Sequence, residues 1–258
     1  MRRLLSANLT RLRKDPAPRL FLAGMLLLAC GLMFMQYTAM DYTVPLSRVI
    51  FLPLSLYGVG AAAFVSVFVG TDFSDGFIRS KLISARSRDD VVVSHILTSC
   101  AGCAVVYGAV TLFALAAGAL FFQNDVGPAR LLEYLALGLG MSFAYGTIFS
   151  VITMLSGSKT RAIILCMVLA MLMLFLSLHT NQLLVQTEYK DGILNPHYVG
   201  GVRRALYGFL HDLNPTGQVA QLSTWEYWNP LRGIACDILW IAGAGVSGSL
   251  SFRRKDIK

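Results

Sequence analysis

Charge is scarce in this chain. Asp, Glu, Lys and Arg make up 14% of its 258 residues, where a soluble domain carries roughly 25%. That shortfall excludes an ordinary water-soluble domain and, with a mean hydropathy of +0.61, points to a lipid-embedded protein. Catalytic signatures are missing too. No GxxxxGK[ST] loop occurs; "SGSKT" at Ser156–Thr160 has a Lys-Thr pair without the spaced glycines that cradle phosphates. Neither HExxH nor GxSxG is present. His95, His179, His197 and His211 are scattered, which suits hydrogen-bonding or interfacial roles better than a metal site. The N-terminus lacks the continuous apolar run and small-residue cleavage site of a secretory signal.

Cysteine is sparse as well. Cys30, Cys100, Cys103, Cys166 and Cys236 all lie in or beside apolar runs. Cys100 and Cys103 form a CxxC, a spacing that in a loop serves zinc or redox chemistry. Within "HILTSCAGCAVVYGAV" both fall on one helical face, where small buried thiols act as packing residues.

What the chain does have is long apolar runs. A helix needs about 20 apolar residues to cross the hydrocarbon core. Six candidate spans follow: 20–35, 50–69, 91–122, 131–155, 162–178 and 233–250. The fold class expected is an all-α membrane protein, one transmembrane domain over 1–258. The link "SGSKTR" makes spans four and five antiparallel neighbours. Small residues in "GVGAAA", "GLGMSFAYG" and "GAGVSGS" allow close helix approach; kinks around a substrate path are the alternative.

The formal net charge is +8. Nucleic acid is one partner class for such a balance, but in a membrane protein Lys and Arg gather in cytoplasmic loops. Sixteen of the 22 flank the N-terminus, the links between spans two and three and between four and five, and the C-terminus. Both termini are therefore expected in the cytoplasm, and no nucleic acid is expected. Residues 1–18 carry Leu4, Leu5, Leu9 and Leu12 at helical spacing among basic residues. That pattern suits an amphipathic helix on an anionic membrane surface; a solvated tail is the alternative. Residues 179–232 are too polar to span. In them Val202, Ala205, Leu206, Phe209 and Leu210 form the stripe of a short outer helix ended by Asn214-Pro215, and Trp225, Tyr227 and Trp228 form an aromatic anchor. Charges at membrane depth mark ion or substrate paths. Asp237 and Glu133 come closest; Asp237 is the candidate for a substrate path, with a salt bridge to Arg232 as the competing role.

Residues 70–90 form a polar segment between two greasy runs, expected in the cytoplasm. Asp72 can cap a helix there, with Asp75 supporting its first turn. Phe73, Phe77, Ile78, Leu82 and Ile83 fall near one side; Arg79, Lys81, Arg86 and Arg88 face elsewhere. So short a helix is marginal alone and needs the bilayer, the bundle or a partner to pack against.

The run "GTDFSDGFIRSKLISARSRDDVVVSHIL" resembles the corresponding loop of permease subunits of type-2 ATP-binding-cassette exporters. So do the six spans, the basic N-terminal helix, "LNPTGQVAQLS" before the last span and the ending "GSLSFRRKDIK". The resemblance covers essentially the whole chain through order and spacing. Gly76-Phe77 departs from the Gly-Thr usual in the family's loop, which leaves the contact residues there open. The resemblance implies a coupling helix docked on separate ATP-binding subunits, with Asp72, Phe73, Asp75, Phe77, Ile78 and Arg79 carrying the contact. It also implies a second permease, identical or related, and an amphipathic substrate such as an antimicrobial peptide, lipid or drug. Chains of this size resemble those of lantibiotic or bacteriocin export and self-immunity systems. The expected location is the bacterial plasma membrane, with ATP and magnesium on the partner and no cofactor in this chain. Its role is that of a non-enzymatic subunit; a scaffold or sensor docking another cytoplasmic protein is the alternative.

Overall fold

The computed structural model describes residues 1–40, 44–85, 87–190, 193–225 and 229–254. It is all-helical apart from one two-residue antiparallel pairing, Tyr189 with Leu194 and Lys190 with Ile193. Six helices are long and apolar enough to cross a membrane.

The chain opens with α1 (Arg2–Lys14), whose last turn holds Arg11, Arg13 and Lys14, favourable charges for a helix C-terminus. One extended residue, Asp15, separates it from α2 (Pro16–Ala39). The Asp15 side chain accepts from the Ala17 amide at 2.9 Å, and Pro16 occupies the first helical turn, where its missing N–H costs nothing. The second span is composite: α3 (Ser47–Ile50), a 3₁₀ turn over Leu52–Leu56 containing Pro53, and α4 (Tyr57–Ser74). After the short α5 (Phe77–Ser84) comes α6 (Arg88–Phe121), capped by Ser87, whose hydroxyl accepts from the Asp90 amide. Two helices, α7 (Pro128–Ser156) and α8 (Lys159–Val185), are joined by Gly157 in the left-handed region and Ser158. The helices α9 (Gly201–Leu213) and α10 (Pro215–Thr224) share Asn214 as junction, and α11 (Pro230–Arg253) closes the bundle.

Most ends thus run several residues past their hydropathy edges, except that α6 stops one residue short at Phe121 and α7 ends one residue beyond at Ser156; α8 takes in the first residues of the segment expected outside it. Window averages fall where polar residues finish a helix, although the backbone bonds continue. Tyr227 and Trp228 of the aromatic anchor, and the last four residues, lie outside the described residues.

Two helices form the centre. Two-thirds (67%) of the apolar window is buried in the second span and in α7, against 22% in α2 and in α11. The outer helices keep apolar faces such as Leu27, Phe34, Leu172 and Phe175 exposed, as lipid-facing helices do. Close approach explains the central glycines. A Cβ at Gly146 would meet the Cys100 backbone at 2.9 Å, and one at Gly138 would meet the Tyr107 ring at 2.4–2.6 Å. In "GAGVSGS" only Gly248 packs, against Val151; Gly243 and Gly245 face open space. Cys100 and Cys103 are buried free thiols within this packing.

In the outer segment, Val202, Ala205, Leu206 and Phe209 of α9 are exposed as one apolar face. By contrast α10 is wedged into the bundle, with Gln218 and Gln221 buried. Asn214 Nδ2 donates to the Met173 carbonyl at 2.7 Å, Ser177 Oγ to the Thr216 carbonyl at 3.1 Å, and Trp240 Nε1 to the Leu213 carbonyl at 2.7 Å.

Candidate functional site: a short helix braced on a buried aspartate

Where the polar segment leaves the bundle, α4 does not stop at Val69. It continues through Thr71 and Ser74, whose hydroxyls bond to the carbonyls of Val67 and Thr71 at 2.7 and 3.1 Å. Asp75 sits at the helix end with its amide bonded to Thr71, and accepts the Ser74 hydroxyl at 2.9 Å. Gly76 then takes φ 71° and ψ 5°, a left-handed conformation that glycine adopts without steric cost. This single residue turns the chain into α5.

Asp72, in the last turn of α4, is 1% exposed. Its carboxylate accepts from the Arg11 guanidinium of α1 and from the Lys81 ammonium of α5. Arg11 also donates to the Phe68 carbonyl at 2.8 Å and lies over the Phe68 ring, 4.6 Å from its centroid. Lys81 donates to Asn8 Oδ1 at 2.7 Å, and Asn8 Nδ2 donates to Ser94 Oγ at 3.3 Å. His95 Nε2 is 3.2 Å from Asp72, out of line for a hydrogen bond. Burial lowers the Lys81 pKa; Asp72 opposes that shift and Arg11 adds to it. One carboxylate therefore ties α1, α4, α5 and α6 together.

The exposure of α5 divides sharply. Ile78 is buried, and Phe73 and Leu82 pack against the core. Phe77 and Ile83 are 54% and 86% exposed, with exposed Ser80 between them on the outward side. A second clasp closes the same end of the bundle. Asp89 accepts from Ser249 at 2.6 Å and from Arg253 Nε at 2.9 Å, while Arg88 donates to the Arg253 carbonyl at 3.0 Å.

Several expectations need correction. Asp72 does not cap α5, because α4 runs past it, and it lies buried between two cations. Asp75 ends α4; it does not support the first turn of α5, and Gly76 at the start of α5 makes no side-chain cap. Phe73, Phe77, Ile78, Leu82 and Ile83 do not share one side: three turn inward and two outward. The side chain of Arg79 and the whole of Arg86 lie outside the described residues. Asp237 does not pair with Arg232. Five residues apart on a helix means about 140° apart around its axis, and Arg232 binds Asp212 of α9 instead. Glu133 is exposed. Sequence reasoning missed the roles of Arg11, Asn8 and His95; a signal did exist for Arg11, a cation placed on the apolar side of an amphipathic helix.

Among the described residues, no three His, Cys, Asp or Glu side chains gather as a metal site. Comparison with protein-family models and with curated proteins gives no match.

Proposed function

We propose that this chain is the membrane-spanning subunit of an ATP-driven exporter, and that α5 is the lever on which a separate ATP-binding subunit acts. One observation carries this reading. A short helix exposes Phe77 and Ile83 on its outer side while Ile78 and the Asp72 node fix its inner side to three other helices. Two large apolar side chains in water favour a covering partner. The brace beneath them passes a push on α5 directly to α4 through Asp72 and to α1 through Asn8, and from Asn8 to Ser94 of α6.

On this reading the α1–α5 end faces the cytoplasm of a bacterial cell, as the distribution of Lys and Arg favours. ATP and magnesium belong to the companion subunit. A second permease, identical or related, completes the complex, and the cargo is an amphipath such as an antimicrobial peptide, a lipid or a drug. The docking surface consists of Phe77 and Ile83, with exposed Asp75 at its edge. Ile78 and Phe73 act beneath it as supports.

The test is co-expression with a candidate ATP-binding subunit, sought first among the neighbouring genes. Phe77→Asp combined with Ile83→Asp should abolish co-purification of that subunit and its permease-dependent ATPase stimulation. Thermal stability should be unchanged, because both side chains are exposed. Retained assembly and stimulation would overturn the placement. A companion that binds α5 but no nucleotide would favour the scaffold reading over the exporter.

A further inference from the structure

The half of the bundle away from α5 holds two more buried aspartates: Arg232 answers Asp212, and no cation among the described residues answers Asp237. Asp237 lies seven residues into α11, about 10 Å from its first residue. It is 2% exposed, and neither carboxyl oxygen has a hydrogen-bond partner. Gly140 of α7 lies against it so closely that a Cβ there would stand 2.6 Å from Oδ2.

The neighbouring groups are accounted for one by one. Tyr145 of α7 shares a hydrogen bond with Thr216 at 2.6 Å. On α11 itself, Cys236 carries a thiol and Arg232 is committed to Asp212 of α9. His211 of α9 bonds Thr180 at 2.7 Å through Nδ1. No residue of α10 titrates; the Gln218 amide approaches the carboxyl from the donor side without reaching hydrogen-bond geometry. Its Nε2 donates to the carbonyls of Asp212 and Gly233 at 2.9 and 3.5 Å, which leaves Oε1 buried without a donor. Both Asp237 oxygens and Gln218 Oε1 are thus buried without a hydrogen bond.

An ionised carboxylate is strongly disfavoured in such surroundings, where neither water nor a cation compensates its charge. A metal ion would need further oxygen ligands and room, and the Gly140 contact leaves little. A proton needs no room and cancels the charge.

We propose that Asp237 is a proton-binding site: its carboxyl holds a proton while α7, α10 and α11 are packed, and releases it to water when these helices part. The inference stands independently of the exporter reading. Because the packed arrangement binds one more proton than the parted one, rising pH favours parting.

The full-length protein in lipid nanodiscs tests this with dicyclohexylcarbodiimide, which modifies protonated carboxyls in apolar surroundings. Mass spectrometry should find the adduct on Asp237, falling several-fold from acidic to alkaline buffer. Infrared difference spectra against Asp237→Asn should show the loss of a protonated-carboxyl stretch. An unlabelled Asp237 in acidic buffer, or a difference spectrum that loses an ionised-carboxylate band, would overturn the proposal. The labelling uses the unaltered chain, so it decides the matter even where the Asn variant fails to assemble.

Discussion

Asp72 and Asp237 are equally hidden from solvent, yet they are held in opposite ways. Asp72 has Arg11 and Lys81 on its oxygens and His95 beside it. Asp237 has the bare backbone of Gly140 and an amide that does not bond it. The first is a charge neutralised by charges from neighbouring helices; the second is a carboxyl fitted by shape. A buried ion pair is a weak source of stability but is costly to break. The Asp72 node therefore works as a fixed joint, whereas the Asp237 contact can change state by moving one proton.

That contrast can be broken at several points. The largest effect belongs to Asp72→Asn, which leaves Arg11 and Lys81 without their counter-charge. A loss of about 3 kcal/mol is expected, read from unfolding of the purified protein in detergent; a loss below about 1 kcal/mol would mean the node is not a joint. Next comes Gly140→Ala. Its methyl group would intrude on the Asp237 carboxyl and should cost about 2 kcal/mol through overpacking, whereas Gly24→Ala in α2, with nothing within 4 Å of a new Cβ, should be neutral or slightly stabilising.

A pH titration separates the two ends further. Burial lowers the His211 pKa from its ordinary 6.5, with Asp212 opposing. The unfolded chain then takes up a proton that the folded chain refuses. Stability is fully present above pH 6.5 and falls on acidification through the lowered value, by at most about 1.4 kcal/mol per pH unit. His211→Gln should remove that slope in acid unfolding curves. The smallest effect is expected for Asp237→Asn at neutral pH, within about 0.5 kcal/mol of the unaltered protein, since an amide replaces a neutral acid of the same shape. Equal, large losses from Asp72→Asn and Asp237→Asn would erase the distinction between the two aspartates.

Much of the fold is legible along the chain. The six apolar runs became six helices long and apolar enough to cross a membrane, and Asn214-Pro215 ended α9. The exposed stripe of α9 follows from the spacing of Val202, Leu206 and Phe209. The candidate site was legible only in outline. That a short helix occupies the polar link follows from composition, but the facing of its residues does not. Phe77 and Ile78 are adjacent and equally apolar, and they ended on opposite sides because Gly76 sets the angle at which α5 meets α4. Likewise α10 looked too polar for the interior, yet its glutamines are bonded inside the bundle.

Hydropathy and helical spacing determined the number of spans, their order and the breaks between them, because backbone hydrogen bonding in lipid leaves a long apolar run little choice but helix. Tertiary structure alone decided which charges meet. Arg11 reaches Asp72 across 61 positions and Arg253 reaches Asp89 across 164, distances over which a local pattern carries no information. The same packing gave one aspartate two cations and left the other against a glycine, since pairing depends on which helix faces which, and that is settled only when the bundle closes.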